Sequence, residues 1–328
     1  LHGGRWDLSQ LKLRADGIVG IVSADAFDDV VLTSYESFLT PTTVFDSTGG
    51  RNVVLKQLPA RFDARGLLIE QLEAVSRDGT RIPYFVVRRK SLARDGEAPT
   101  LLYGYGGFEI SMTPSYSGVI GKVWLEKGGV YVLANIRGGG EFGPRWHQAA
   151  LKTNRQRAYD DFAAVAQDLI ARKTTSPAKL GIMGGSNGGL LMGVAFTQHP
   201  ELYKAVVCKV PLLDMLRYNQ LLAGHSWEGE YGDPANPEER AAILGYSPYQ
   251  RVRADVRYPE VFFETSTKDD RVHPGHARKM VAKMEAQGHP VFYFENTEGG
   301  HGAAANLEQK IRMTSLDYTY LSRQLGVH

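Results

Sequence analysis

Three side chains could carry acyl-transfer chemistry if folding brought them together. Ser186 lies in Gly184-Gly185-Ser186-Asn187-Gly188, a G-x-S-x-G spacing with an apolar run before it and a helix-forming run, 190–197, after it. A serine on a tight strand-to-helix turn needs neighbours without side chains, because its backbone is strained and its flanks are crowded. The helix that follows would aim its free N–H groups and positive dipole end at the serine, stabilising an oxyanion formed there. Alone the pentapeptide is weak: 36 glycines in 328 residues produce some by chance, and an ordinary glycine-rich turn reads the same way. A serine hydroxyl also needs a base to take its proton, and that base works best when a carboxylate holds it. Lys268-Asp269-Asp270-Arg271-Val272 and then Gly299-Gly300-His301-Gly302 follow along the chain.

Serine, acid, histidine is the chain order of α/β-hydrolases. Each member has a plainer alternative. Asp269 and Asp270 could cap a helix near Pro274, and His301 could be a loop residue. His273, His276 and His289 compete for the role of base, but the first two sit at a helix start, too close in sequence to the acid. His301 has glycine on both sides, which leaves an imidazole room to swing toward Ser186. One oxyanion donor would be the main-chain N–H of Asn187. A second would come from the loop Tyr103-Gly104-Tyr105-Gly106-Gly107-Phe108, where the glycines allow close approach and a tyrosine hydroxyl can donate.

These residues must be held by strands and helices. β-rich runs followed by apolar stripes predict strands over 100–103, 130–134, 180–183, 205–210, 260–264 and 291–294. They predict helices over 157–172, 188–198, 274–287 and 307–325. The third helix has Pro274 near its start and Gly288 past its end. In the last, Leu307, Ile311, Tyr318, Leu321 and Leu325 would line one face. The helix after Ser186 is apolar nearly all round and should be buried. A hairpin is expected over 72–87, around Arg77-Asp78-Gly79-Thr80. Alternating strands and helices imply a mostly parallel sheet wrapped on both faces, with Ser186, the Asp269 loop and the His301 loop on its carboxyl edge. Before residue 60 the pattern differs. Short strands over 18–22, 29–33 and 43–45 make about one blade of antiparallel sheet, with open edges and too little core of its own.

Composition removes several function classes. A net charge of +2 without a dense Lys/Arg cluster argues against nucleic acid or an anionic membrane as the main partner. The longest apolar runs, such as 190–196, are far too short to span a bilayer. The single cysteine, Cys208, cannot form an internal disulfide and sits in an apolar run, as a core residue would. The chain opens on Leu1, with neither an initiator methionine nor a secretory leader pattern, and is expected to be part of a longer polypeptide.

Five segments together resemble the catalytic domain of the prolyl oligopeptidase (prolyl endopeptidase) family of serine peptidases, which has the α/β-hydrolase fold. They are 103–108, Asn135-Ile-Arg-Gly-Gly-Gly-Glu-Phe-Gly143, 184–190, Asp269-Asp-Arg-Val272 and 300–302. The resemblance covers roughly residues 65–328 and implies that 1–64 is the end of a preceding β-propeller, seven-bladed in that family. It implies Ser186 as nucleophile, His301 as base, Asp269 as the orienting acid, and Tyr105 with the Asn187 N–H as the oxyanion hole. Arg271 would bind a substrate carbonyl, and Phe108, Val272, Trp227 and Tyr231 would form the pocket, with Trp227 stacking on the substrate proline. Proline lacks an N–H and presents a flat apolar ring, so an indole face suits it. The chain departs from the pattern at Glu228 and Glu230, an acidic pair that would reshape access or favour a basic residue nearby.

The implied activity is hydrolysis of short proline-containing peptides on the carboxyl side of proline, with no metal or cofactor. The implied state is a monomer completed by the rest of the propeller and lying in the cytoplasm, or alternatively the periplasm. The alternatives are oligopeptidase B, acylaminoacyl peptidase or esterase specificity, or a non-catalytic binding module with a hydrolase-like shell.

Overall fold

Two sheets account for the strands of the computed structural model, which describes residues 10–327; the start of the expected propeller segment, before residue 10, lies outside the described residues. The first sheet is antiparallel, in the order β1 (Ile18–Ala24), β2 (Val31–Glu36), β3 (Thr43–Asp46), β4 (Val53–Gln57). It differs from expectation in two places. β2 begins later than residue 29 because a turn holds the chain through Val30: the Phe27 and Val30 N–H groups donate to the carboxylates of Asp25 and Asp28. β4 was not expected, although Val53-Val54-Leu55 between Gly50 and Pro59 is a short apolar run of the kind that marks a strand; all five of its residues are exposed.

The second sheet has eight strands. They are β5 (Leu67–Val75), β6 (Arg81–Arg89), β7 (Thr100–Gly104), β8 (Val130–Ala134), β9 (Leu180–Gly185), β10 (Ala205–Lys209), β11 (Val261–Ser266) and β12 (Val291–Asn296). Their spatial order is β12-β11-β10-β9-β7-β8-β6-β5, with β6 antiparallel to both neighbours and every other pair parallel. This is the mostly parallel, doubly wound α/β-hydrolase sheet expected from the sequence. Parallel neighbours need crossovers, and helices lie in them: α1 (Gln156–Ala171) leads into β9, α2 (Asn187–Gln198) joins β9 to β10, and α3 (Gly275–Ala286) joins β11 to β12. A fourth, α4 (Leu307–Leu325), follows β12.

Side chains alternate across each strand, so both faces are apolar. Val206 and Cys208 join the core beneath α1 and α2, whereas Ala205 and Val207 join the core beneath α4. α2 is buried from Asn187 through Thr197, as its all-round apolarity requires. The stripe on α4 is only half realised. Tyr318, Leu321 and Leu325 are buried, but Leu307 is 71% and Ile311 57% exposed. Burial begins at Met313, so the first two turns of α4 do not reach the sheet. No helix among the described residues is long and apolar enough to cross a membrane.

Candidate active site

Register sets the height of the site. Gly185 pairs with Lys209, Lys209 with Glu264, and Glu264 with Phe294, so one row crosses four strands near their carboxyl ends. Ser186, Asp269 and His301 all lie in the short loops just past that row. Sequence separation therefore becomes spatial proximity without long excursions of the chain.

Ser186 sits on the turn between β9 and α2 with φ 59° and ψ −119°, a conformation that non-glycine residues rarely adopt. The strain is held from both sides. The Ser186 N–H donates to the Lys209 carbonyl at 3.0 Å, and the Leu190 N–H donates to the Ser186 carbonyl at 3.1 Å. Its side chain is thereby aimed out of the turn toward the His301 loop. His301 Nε2 lies 3.0 Å from Ser186 Oγ, and His301 Nδ1 lies 2.8 Å from Asp269 Oδ2. An imidazole with its proton on Nδ1 donates to the carboxylate and leaves Nε2 free to accept from the hydroxyl.

Both supporting loops are pinned. Asp269 is buried, and its Oδ1 accepts the N–H groups of Arg271 (3.0 Å) and Val272 (2.9 Å). It therefore orders its own loop rather than capping α3, while Asp270 is exposed. The His301 loop is fastened through the Ala303 carbonyl, which accepts from Ser266 Oγ at 2.9 Å and Asn296 Nδ2 at 2.8 Å, at the ends of β11 and β12. The competing histidines are engaged elsewhere. His276 is buried and its Nδ1 accepts the Leu213 and Asp214 N–H groups, with burial pulling its pKa down to about 4. His273 Nδ1 accepts the Gly275 N–H, and His289 Nε2 bonds the Arg253 carbonyl.

Of the two tyrosines in the early loop, Tyr105 is the one beside Ser186. Burial raises the pKa of its phenol, opposed by the neighbouring Ser186 side chain and by the positive charges of Arg271 and Arg155. A phenol kept protonated is a donor, which is the state an oxyanion needs. Tyr103 instead packs against the core beneath α4. The Asn187 side chain ties the early loop to α2, with Nδ2 donating to the Tyr105 carbonyl at 2.6 Å. That approach needs a glycine: a Cβ on Gly107 would lie 2.6 Å from Asn187 Nδ2. As the first residue of α2, Asn187 has a main-chain N–H with no acceptor inside the helix.

The remaining candidates form an aromatic wall next to these groups. Phe108 meets Trp227 edge-on, with centroids 6.5 Å apart, and Tyr231 at 5.6 Å. Trp227 is half-buried, whereas Tyr231 is wholly buried and stands behind Phe108, its hydroxyl donating to Asn187 Oδ1 at 2.9 Å. Val272 is buried and the neighbouring Arg271 is exposed. The acidic pair is split between two environments. Glu230 is buried and engaged by the Phe108 N–H (2.9 Å), Arg155 (2.8 Å) and His147 (2.7 Å). Glu228 accepts from Asn219 at 2.8 Å and contacts His225 at 3.1 Å. Glu230 is thus held inside the protein, whereas Glu228 stays half-exposed with only its Oε1 engaged. Arg155 was not singled out from the sequence. A lone arginine in Thr153-Asn154-Arg155-Gln156 carries no signal until the fold buries it.

Among the described residues no group of three or more His, Cys, Asp or Glu side chains is placed to hold a metal ion. What the arrangement can do is deprotonate a hydroxyl, attack a carbonyl carbon and receive the resulting oxyanion.

Known proteins resemble the chain over nearly its whole length. The prolyl oligopeptidase family profile matches residues 114–328. The chain is 56% identical over 324 residues to the uncharacterized peptidase y4nA of Sinorhizobium fredii, covering 98% of this chain and 45% of that one. It is 36% identical to a prolyl endopeptidase of Elizabethkingia miricola, over 97% of this chain and 46% of that one. A solved post-proline cleaving enzyme from Rickettsia typhi superposes with a TM-score of 0.91 at 39% identity, over 100% of this chain and 48% of that one. The chain thus spans just under half the length of these relatives.

Proposed function

The chain belongs to the prolyl oligopeptidase family, and we propose that it forms the catalytic part of a serine endopeptidase that hydrolyses short peptides on the carboxyl side of proline. The observation that carries this is the continuous line from Ser186 Oγ to His301 Nε2 (3.0 Å) and from His301 Nδ1 to Asp269 Oδ2 (2.8 Å). Ser186 attacks the carbonyl carbon while His301 takes its proton. The tetrahedral oxyanion is received by the Tyr105 hydroxyl and the Asn187 N–H. Collapse expels the amine, to which His301 returns the proton, leaving an acyl-enzyme that water hydrolyses by the same steps. Asp269 keeps the imidazole in its Nδ1–H tautomer and offsets its charge. Serine, imidazole and carboxylate supply nucleophile, base and orientation, so the reaction needs no metal or cofactor. All of these groups come from one chain, so one copy suffices.

Specificity rests on the aromatic wall. Trp227 offers its face to the proline ring, Phe108, Val272 and Tyr231 enclose it, and Arg271 holds a carbonyl of the preceding residue. Cleavage after arginine or lysine would call for a free carboxylate in this pocket, and Glu230, the buried member of the acidic pair, is taken up by Arg155 and His147. In this reading residues 65–328 are the catalytic domain. Residues 1–64 end a β-propeller, whose remainder covers apolar residues such as Ile21, Val22, Val53 and Val54 that this chain exposes.

The test is a panel of peptide amides with proline, arginine or acetyl-alanine before the cut, offered to the full-length protein, together with a fluorophosphonate probe. Fast turnover of proline alone and labelling lost in Ser186→Ala are the expected results. Faster arginine cleavage would transfer the assignment to another specificity, and absence of labelling would leave a binding module.

A further inference from the structure

Directly behind the proposed oxyanion hole lies a charge pair to which that chemistry assigns no part. Arg155, just ahead of α1, is 1% exposed and Glu230 5% exposed. Arg155 Nη1 donates to Glu230 Oε1 at 2.8 Å, and Nη2 donates to Asn187 Oδ1 at 2.5 Å. The guanidinium also lies over the Tyr231 ring, 5.1 Å from its centroid. Each partner then reaches a different part of the site. Through Asn187 Nδ2, the arginine end holds the Tyr105 carbonyl at 2.6 Å, and with it both proposed oxyanion donors. The glutamate end accepts the Phe108 N–H at 2.9 Å, in the pocket wall.

A buried ion pair is a poor way to stabilise a core, because desolvation offsets the attraction and apolar groups of similar volume do as well. What the pair supplies is direction. A planar guanidinium can hold two acceptors at a fixed angle, which an ammonium cannot. Burial lowers the pKa of Arg155, but Tyr159, Tyr231 and Glu230 more than offset it, so the charge persists.

We infer that Arg155 and Glu230 are a positioning pair that locks the oxyanion donors at Tyr105 and Asn187 to the pocket wall at Phe108, so that the two are set as one unit. The inference rests on the peptidase reading above. It is tested in the full-length protein with Arg155→Lys, Tyr105→Phe and their combination. The readouts are kcat and KM on a proline peptide amide, affinity for a peptidyl-prolinal (an aldehyde that forms the tetrahedral adduct), and urea unfolding. Lysine keeps the charge but not the fork. Arg155→Lys should lower kcat roughly 10–100-fold, with KM within about two-fold and prolinal affinity falling in step with kcat. In the Tyr105→Phe background the same change should cost much less, because both act on one oxyanion. If Arg155→Lys does not fold, Glu230→Gln takes its place in the same cycle. Losses that multiply independently, or an unchanged kcat, would overturn the pair while leaving the peptidase reading intact. A wild-type protein that cleaves no proline amide would overturn both.

Discussion

A Cβ placed on Gly184 would stand 2.5 Å from the carbonyl oxygen of Gly188, across the turn that carries Ser186. The obstacle is backbone, so no rotamer change can relieve it, and the turn itself would have to open. Gly184→Ala is therefore expected to destabilise the fold by about 1–3 kcal/mol and to remove most activity by displacing Ser186. Gly185 is the internal control. A Cβ there meets nothing closer than 3.6 Å, so Gly185→Ala should unfold near the wild-type urea midpoint. Equal midpoints for the two variants would show that close approach does not shape this turn.

Asp269→Asn separates orientation from folding. The amide oxygen can still accept from Arg271 and Val272, as Asp269 Oδ1 does, so the loop should survive. The imidazole loses the partner that fixes its tautomer. We expect kcat/KM on a proline amide to fall by roughly 10³–10⁴, with unfolding little changed. A loss of only a few-fold would mean that the carboxylate near His301 is structural.

Trp227→Ala should cost proline substrates roughly 10–100-fold in kcat/KM, the range for loss of an apolar subsite contact, and alanine substrates only a few-fold. The indole is half-buried and braced edge-on by Phe108, so its removal changes the pocket more than the core. Paired kinetics on the two substrates decide the matter, and equal losses would show that Trp227 does not read proline.

Local patterns in the sequence reached far into this fold. The strand-to-helix turn at Ser186, the buried α2 and the loops past β11 and β12 all follow from glycine placement and apolar runs, which are properties of neighbouring residues. What stayed hidden depends on distant partners. Glu230 looks like part of a solvated acidic pair until Arg155, 75 positions away, is brought against it. Leu307 and Ile311 have helical spacing, but only the sheet's extent decides that they stay exposed. β4 is the exception, since its run Val53-Val54-Leu55 is a local signal that was there to be found.

Beneath the site, Lys209 Nζ lies 2.5 Å from Asp317 Oδ2 on α4 and 2.9 Å from Glu264 Oε1 on β11, the latter without a directed hydrogen bond. Two buried carboxylates share one lysine charge, so one of them is disfavoured as an anion. Burial first, and then Glu264, push the Asp317 pKa up to about 7, against the pull of Lys209. A free aspartate titrates near 3.9. Between these values the folded chain keeps a proton that the unfolded chain has released. The stability this contributes is fully present below about pH 4 and is lost as pH rises through about 7. Asp317→Asn cannot titrate, so it should gain on the wild type between pH 5 and pH 8, by on the order of 2–3 kcal/mol. Urea unfolding of both proteins across that range measures the difference. A gap that stays constant with pH would mean that Asp317 is ionised throughout and that Lys209 alone satisfies both carboxylates.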